Sequence, residues 1–346
     1  MNKLTRTMGC AVAVGALVLS GAACQKPKQA ASADGPCAGQ TLRISQATDG
    51  SMLYIADEIA AAKGMFAKQG LTIDRIALGG GSEAIQALVG GSADVTLSTH
   101  PTVLSTREKG GPVLTFATVM DSLLYGLTMK SDIAPDEESE EAVVEALRGK
   151  KVGITSAGSS TDRIMRYLFL QHGLDPDKDV EIVATGGSSE MVASFARGSI
   201  DAYVISPPAS IIGAEKGDGK VALDLSEGTV PAFDDILWLT ALTSKEALEK
   251  KKDALVCYSR ALNKAVELIH SDPEQAKKVV RKKYKQLSDE QFEEAFEQVV
   301  SATPKSVAVD AEDADAAYRF EKKVEPKLKV PSKESYTTTV TDQVMK

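Results

Sequence analysis

Residues 80–94 read GGSEAIQALVGGSAD, and residues 187–201 read GSSEMVASFARGSID. At a constant offset of 107 positions, Ser82 stands opposite Ser189, Glu83 opposite Glu190, Gly91 opposite Gly198, Ser92 opposite Ser199 and Asp94 opposite Asp201. The same offset brings Glu108-Lys109-Gly110 onto Glu215-Lys216-Gly217. This period far exceeds the roughly 20–50 residues of a solenoid unit. It implies two similar domains facing each other.

Both copies carry the same local pattern. A Gly/Ser-rich loop opens an apolar series at helical spacing, Ala84-Ile85-Leu88-Val89 in one and Met191-Val192-Phe195-Ala196 in the other. Ser82 and Ser189 are expected N-caps, with Glu83 and Glu190 in the first turn. Gly90-Gly91 and Gly198 are stops. The β-type runs Asp94–Leu97 and Asp201–Ile205 follow, then Ser98-Thr99-His100-Pro101 and Ser206-Pro207-Pro208. Each half therefore offers a helix N-terminus and a strand end rich in hydroxyls. Such termini present free N–H groups and a partial positive charge.

Outward from the repeat, the chain reads in order. Lys3 and Arg6 precede the small, apolar run Met8–Ala23, which is short for a membrane span and reads as a leader. Gly21-Ala22-Ala23-Cys24 resembles a bacterial lipobox, although Gly21 stands where Leu is usual; an ordinary cleavage site nearby is the alternative. Residues 1–23 are thus expected to be a lipoprotein signal, Cys24 the lipidated residue, and 24–40 a polar tether. No other run is long enough to span a membrane, so the mature protein is expected to be anchored or secreted.

From Leu42 the chain alternates strand and helix patterns: Leu42–Ile44, a helix over 52–67, Leu71–Ala77, the first repeat, then Val113–Val119. This order implies a largely parallel sheet with helices on both faces. The acidic stretch 131–141 reads as a solvated surface loop. A second unit begins at Lys151–Ile154, with a polar loop at Thr155–Thr161, a helix from Asp162 and a strand from Val180. Asp175-Pro176-Asp177-Lys178-Asp179 hints at a calcium loop, but Val180 stands where the tight-turn glycine belongs, so a turn is expected. After Ile236–Leu242 the pattern is helical, with a Pro-initiated helix at Asp272-Pro273 and a capping box at Ser288/Gln291. Crossovers are placed near Leu127–Lys130 and Pro231–Leu242. Lobe one is then 41–128 with 240–346, and lobe two 129–239. Two linked segments make a hinge, with the ligand in the cleft where loops at the strand ends converge.

The chain has 40 Lys and Arg against 48 Asp and Glu. An acidic balance with no basic cluster near aromatics argues against nucleic acid. Cys37 and Cys257 remain for an oxidising compartment, and the sequence leaves their pairing open. No zinc spacing is present, no cofactor motif stands out, and none is expected. There is no G-x-S-x-G elbow and no Walker loop, and no nucleophile–base pair is evident. Of the three histidines, His172 and His270 fall at helix ends, while His100 falls on a cleft loop, where a ligand contact and a structural role are equally open.

The runs SMLYIADEIAAAKGMFAKQGLTI (51–73), GGSEAIQALVGGSADV (80–95), LRGKKVGITSAGSSTDRIMRYLFLQHGLDPDKDVEIV (147–183) and SSEMVASFARGSIDAYVISPP (188–208) resemble the substrate-binding proteins of nitrate, sulfonate and taurine ABC importers. That superfamily also holds binders of thiamine-pyrimidine precursors. The resemblance covers roughly residues 41–245. It implies a type II periplasmic binding fold: two pseudo-symmetric α/β lobes, a two-segment hinge, and C-terminal helices packed on lobe one. It further implies a monomer that delivers a small anionic or polar solute to a membrane permease.

Carried over by position, the resemblance places Asp49, Ser51, Tyr54, Ser82, Ser98, Thr99 and His100 on the first lobe's side of the cleft. Ser159, Ser160, Thr161, Ser188, Ser189 and Ser206 fall on the second. N-capping is the alternative reading for the serines. Arg163 adds charge or faces solvent, and Trp238 packs near the hinge. The superfamily's fungal pyrimidine synthases depend on a cysteine-rich iron site that this sequence lacks, which disfavours the enzymatic branch. The same fold also serves sensors that present their bound state to a membrane receptor.

Overall fold

The computed structural model describes residues 34–137, 139–226, 228 and 230–346. The expected leader, the lipobox Cys24 and the tether up to residue 33 lie outside the described residues.

The first unit runs β1 (Thr41–Gln46), α1 (Ile55–Ala62), α2 (Met65–Lys68), β2 (Thr72–Ala77), α3 (Gly81–Val89), β3 (Val95–Thr99), α4 (His100–Glu108) and β4 (Val113–Met120). The second runs β5 (Gly126–Lys130), α5 (Glu140–Glu145), β6 (Lys151–Ile154), α6 (Ser160–Gln171), β7 (Glu181–Ala184), α7 (Ser188–Ala196), β8 (Ala202–Ile205), α8 (Ala209–Lys216) and β9 (Gly219–Asp224). The chain then returns through β10 (Leu239–Ser244) and ends in α9 (Lys245–Lys250), α10 (Lys252–Ser271), α11 (Pro273–Val280), α12 (Asp289–Ala302) and α13 (Ala311–Val324).

The two sheets have the same topology, β2-β1-β3-β10-β4 and β7-β6-β8-β5-β9. In each, the first three strands are parallel, and the fourth, antiparallel to both neighbours, arrives from the other lobe's side of the chain. The repeat residues explain the symmetry. Asp94 Oδ2 accepts from the Arg43 backbone N–H at 2.9 Å, and Asp201 Oδ2 accepts from that of Lys151 at 2.8 Å. Each aspartate thus ties the start of its lobe's third strand to the start of its first. Gly91 and Gly198 both sit at φ +71°, a left-handed turn that a side chain would strain.

Several local expectations are corrected. The 52–67 helix is broken into a 3-10 turn at Met52–Tyr54, α1 and α2, because Gly64 adopts φ +66° and resets the chain direction. Ser82 and Ser189 do not cap their helices. Gly80 and Gly187 occupy the N-cap positions of α3 and α7 in extended conformation, without a side-chain cap. The first crossover falls at 121–125 rather than 127–130: residues 126–130 already pair with β8 and β9 of the second sheet, and Leu239 already pairs with β3 of the first. Leu123, Leu124 and Tyr125 run apolar up to Gly126, where the strand starts, and a single glycine does not tell a crossover from a turn within one lobe. Asp175–Asp179 is a tight turn in which the Asp179 N–H donates to Asp175 O at 2.8 Å.

Cys37 and Cys257 form a disulfide, with 6.5 Å between their Cα atoms, which fastens the segment before β1 to α10. Arg163 corrects another expectation. It is buried, pairs with Glu321 of α13 and donates to Ser105 Oγ of α4 at 2.7 Å. α13 therefore packs against α4 in lobe one and against α6 in lobe two. Around this brace Trp238, fully buried, meets Tyr125 and Phe320 edge-on at centroid distances of 6.1 and 5.4 Å. It is a packing residue, as expected.

Candidate solute-binding site

The lobes face each other through the loops at the ends of β1, β3, β6 and β8, and those loops touch. Ser51 Oγ lies 2.7 Å from Ser206 Oγ, and the Met52 N–H donates to Pro207 O at 2.9 Å. On another part of the seam, Ser82 Oγ donates to Ala157 O at 2.8 Å, and Ser156 Oγ to Glu83 Oε2 at 3.2 Å. A Cβ placed on Gly81 would lie 3.5 Å from that of Ser159, an ordinary contact across the seam.

Between these contacts lies a small chamber of about 30 Å³. Tyr54, Ser98 and Thr99 line it from lobe one, Ser160, Thr161 and Ser206 from lobe two, and Tyr125 from the crossover. Thr48, Gly81 and Thr155 join them, with Leu53, Leu97, Ile205 and Leu239 supplying the apolar walls. No lining residue carries a charge. The N-terminal turn of α6 opens onto this space; Ser159 caps it by accepting from the Asp162 N–H, and Ser160 and Thr161 line the chamber. A helix N-terminus favours negative or electron-rich groups without a cationic side chain.

The hydroxyls are mutually oriented. Thr155 Oγ1, Ser159 Oγ and Thr161 Oγ1 form a triangle with edges of 3.0, 2.8 and 3.1 Å, and Thr161 Oγ1 also accepts from the Thr155 N–H at 2.9 Å. Tyr125 OH lies 3.1 Å from Ser160 Oγ, and Tyr54 OH accepts from the Ala47 N–H at 3.2 Å. Burial pushes the Tyr54 phenol up to about 12 and raises that of Tyr125 as well. Both remain neutral O–H donors at any physiological pH.

A larger groove of about 530 Å³ lies beyond the Ser51–Ser206 contact, and Ser206 borders both spaces. Asp49, Ser51, Ser188 and Ser189 face this groove rather than the chamber. Three expected residues line neither space. Ser82 is spent on the seam. Ser159 is a fully buried cap. His100 is fully buried, with Nδ1 2.8 Å from Thr115 Oγ1 and Nε2 2.9 Å from Ser335 Oγ. Burial holds its pKa down to about 3, so it is a neutral structural residue and is withdrawn from the site. Sequence reasoning missed Tyr125, whose place depends on the crossover. It also missed Thr48, one step before Asp49, and Thr155, the first residue of the Thr155–Thr161 loop.

The NMT1/THI5-like family model matches residues 53–276, which hold most of the chamber's lining and most of both lobes. The chain belongs to this family. Among relatives, it is 23% identical over 234 residues to the putative binding protein YtlA of Bacillus subtilis (strain 168), a match covering 66% of each chain. It is 26% identical over 234 residues to the formylaminopyrimidine-binding protein of Halalkalibacterium halodurans, covering 66% of this chain and 65% of that one. The match thus spans just under two thirds of each relative's length. Among solved structures, the alkanesulfonate-binding protein SsuA from Xanthomonas axonopodis pv. citri, bound to MOPS, superposes at a TM-score of 0.69 with 17% identity, over 88% of this chain and 99% of that one. The shared fold is the two-lobed type II periplasmic binding fold. Among the described residues, no helix is long and apolar enough to cross a membrane, and no group of three or more His, Cys, Asp or Glu is placed to hold a metal.

Proposed function

We propose that this chain is the solute-capturing protein of an ABC importer, and that it closes its two lobes on a small polar or singly anionic group. One observation carries the reading. The chamber at the lobe interface is lined by hydroxyls and a helix N-terminus, and no lining side chain bears a charge. Such a site rewards a compact group rich in acceptor oxygens, such as sulfonate, carboxylate or nitrate. It offers no counter-ion for a dianion and no acid–base pair for chemistry. The protein would act as a monomer outside the cytoplasm, held to the membrane through an acylated Cys24. Intact mass of the membrane fraction tests the anchor, and sedimentation tests the monomer.

A thermal-shift panel of alkanesulfonates, taurine, nitrate, bicarbonate, carboxylates and pyrimidines tests the capture. At about a hundred times its dissociation constant a ligand adds roughly 2.7 kcal/mol, a shift of several degrees. A flat response across the anions removes the reading. A second reading, a pyrimidine-precursor binder, has its own support: Tyr54 and Tyr125 both line the chamber, and one relative is named for a formylaminopyrimidine. A shift with pyrimidines alone would select it.

A further inference from the structure

The two segments that join the lobes bond to each other. The Ile236 N–H donates to Asp121 O at 2.9 Å, and the Trp238 N–H to Met120 O at 3.2 Å. Lobe one fastens both. The Asp121 N–H donates to Ala302 O at the end of α12 at 3.1 Å, and the Leu237 N–H to Asp313 O on α13 at 3.0 Å. Rotation of one lobe against the other has to be absorbed here, by a few residues at the ends of strands.

This junction gathers carboxylates. Asp121 opens the first crossover, Asp234 and Asp235 lie in the return segment, and Asp313 stands in the first turn of α13. Asp313 and Asp235 face Asp121, Asp235 faces Asp234, and Asp235 faces Asp313 together with Asp310 and Glu312. Among the described residues, no Lys or Arg forms an ion pair with Asp121, Asp235 or Asp313. From α10 the His270 imidazole also faces Asp121, and its Nε2 lies 3.0 and 3.1 Å from the carbonyls of Thr303 and Pro304. Asp235 sits at φ +45°, a left-handed backbone that side chains disfavour and that Asp tolerates better than most. Like charges on two segments that hinge against each other push them apart when all are ionised, and a proton removes the push.

We propose that this junction is a proton-sensitive hinge: a proton taken up among Asp121, Asp235 and Asp313 favours the lobe arrangement described here, so solute is held more tightly in mildly acid surroundings than in alkaline ones. This rests on the proposed capture function and adds a control to it. Burial, reinforced by the charges of Asp313 and Asp235, raises the Asp121 pKa to about 6, which sets where the switch falls. A carboxyl whose pKa is raised in one arrangement binds its proton more tightly there. That arrangement is favoured below the raised value and loses the favour as pH rises through it. The chamber adds no pH dependence of its own, since its lining carries hydroxyls, phenols and apolar groups.

Two measurements on the full chain test this. The first is calorimetric titration with ethanesulfonate, whose own charge does not change between about pH 5 and about pH 8. The wild type is expected to lose affinity several-fold as pH rises through about 6. Asp121→Asn, uncharged throughout, is expected to bind at the alkaline end as the wild type binds at the acid end. Asp235→Asn keeps a residue that tolerates the left-handed backbone, and should lessen the dependence without abolishing it. The second measurement, small-angle scattering of the solute-free chain, needs no ligand. The wild type is expected to be more compact at the acid end than at the alkaline end, and Asp121→Asn equally compact at both. A wild-type affinity that does not change with pH, or the same decline in both variants as in the wild type, overturns the hinge and leaves the capture function standing. No binding of ethanesulfonate at any pH counts against the capture function, and scattering then decides the hinge alone. Equal compactness of the wild type at both ends overturns it.

Discussion

Ser51 Oγ and Ser206 Oγ, 155 residues apart in the chain, meet at 2.7 Å across the interface of the two lobes. Ser51 also accepts from the Leu53 N–H at 3.2 Å, which fixes the turn carrying Tyr54 into the chamber. One hydroxyl thus joins lobe closure to the placement of a lining residue. Ser206→Ala removes the inter-lobe bond and leaves that turn alone. The expected result is a loss of about 1 kcal/mol from the closed form, and a several-fold weaker affinity for short-headed ligands by calorimetry. An unchanged affinity would mean that this contact does not bias closure.

Arg163 and Glu321 pair in the interior and tie α6 to α13. Removing one partner leaves a buried charge uncompensated, so Arg163→Leu is expected to cost about 3–5 kcal/mol in chemical denaturation. Arg163→Leu combined with Glu321→Leu should recover much of that loss. A double variant as unstable as the single one would show that the guanidinium matters through Ser105 instead.

The Cys37–Cys257 bridge spans 220 positions. Cys37→Ser with Cys257→Ser is expected to lower stability by about 2–5 kcal/mol and the melting temperature by several degrees, and reductant should mimic it in the wild type only. Unchanged melting in reductant would indicate that α10 and the residues before β1 hold together without the link.

Asp121 begins the first crossover. Burial, with Asp313 and Asp235 nearby, raises its pKa from the ordinary carboxyl range to about 6. A carboxyl raised on folding favours the folded state while protonated. Its contribution is therefore full below about pH 4 and lost as pH rises through about 6. Asp121→Asn is expected to raise the melting temperature at pH 7–8 and to flatten the decline between pH 4 and 6, by about 1 kcal/mol after allowance for its partial exposure to solvent. Parallel wild-type and variant curves over that range would contradict this.

Much of the architecture is legible in the sequence because the two-lobe fold repeats its own instructions. The Asp94/Asp201 match and the glycines at 91 and 198 recur at one offset, so spacing reveals them; the bonds by which those aspartates tie third strand to first reach back 51 and 50 residues and show only in the fold. The capping error has a physical cause: a glycine in extended conformation starts a helix as well as a serine does, which frees Ser82 for the seam. His100 was ambiguous because a strand-end loop position looks alike whether the ring turns to the cleft or to the core. The C-terminal segment that carries Ser335 decided it, 235 positions away. The first crossover and Tyr125 were hidden for a related reason. Leu123–Leu127 is apolar on both sides of Gly126, and only strand pairing across the chain shows that one lobe stops there. Arg163 could not be read as a brace without α13 beside it.

The most direct test of the capture function is a calorimetric titration of the full chain with ethanesulfonate and propionate, repeated on Ser98→Ala/Ser160→Ala, which removes one chamber hydroxyl from each lobe. The account predicts saturable one-to-one binding of at least one of the two ligands by the wild type. It also predicts a loss of affinity of about tenfold or more in the double variant, whose melting temperature should stay within a few degrees of the wild type. Equal affinities in the two proteins, or no heat from either ligand, would contradict a solute site in the inter-lobe chamber.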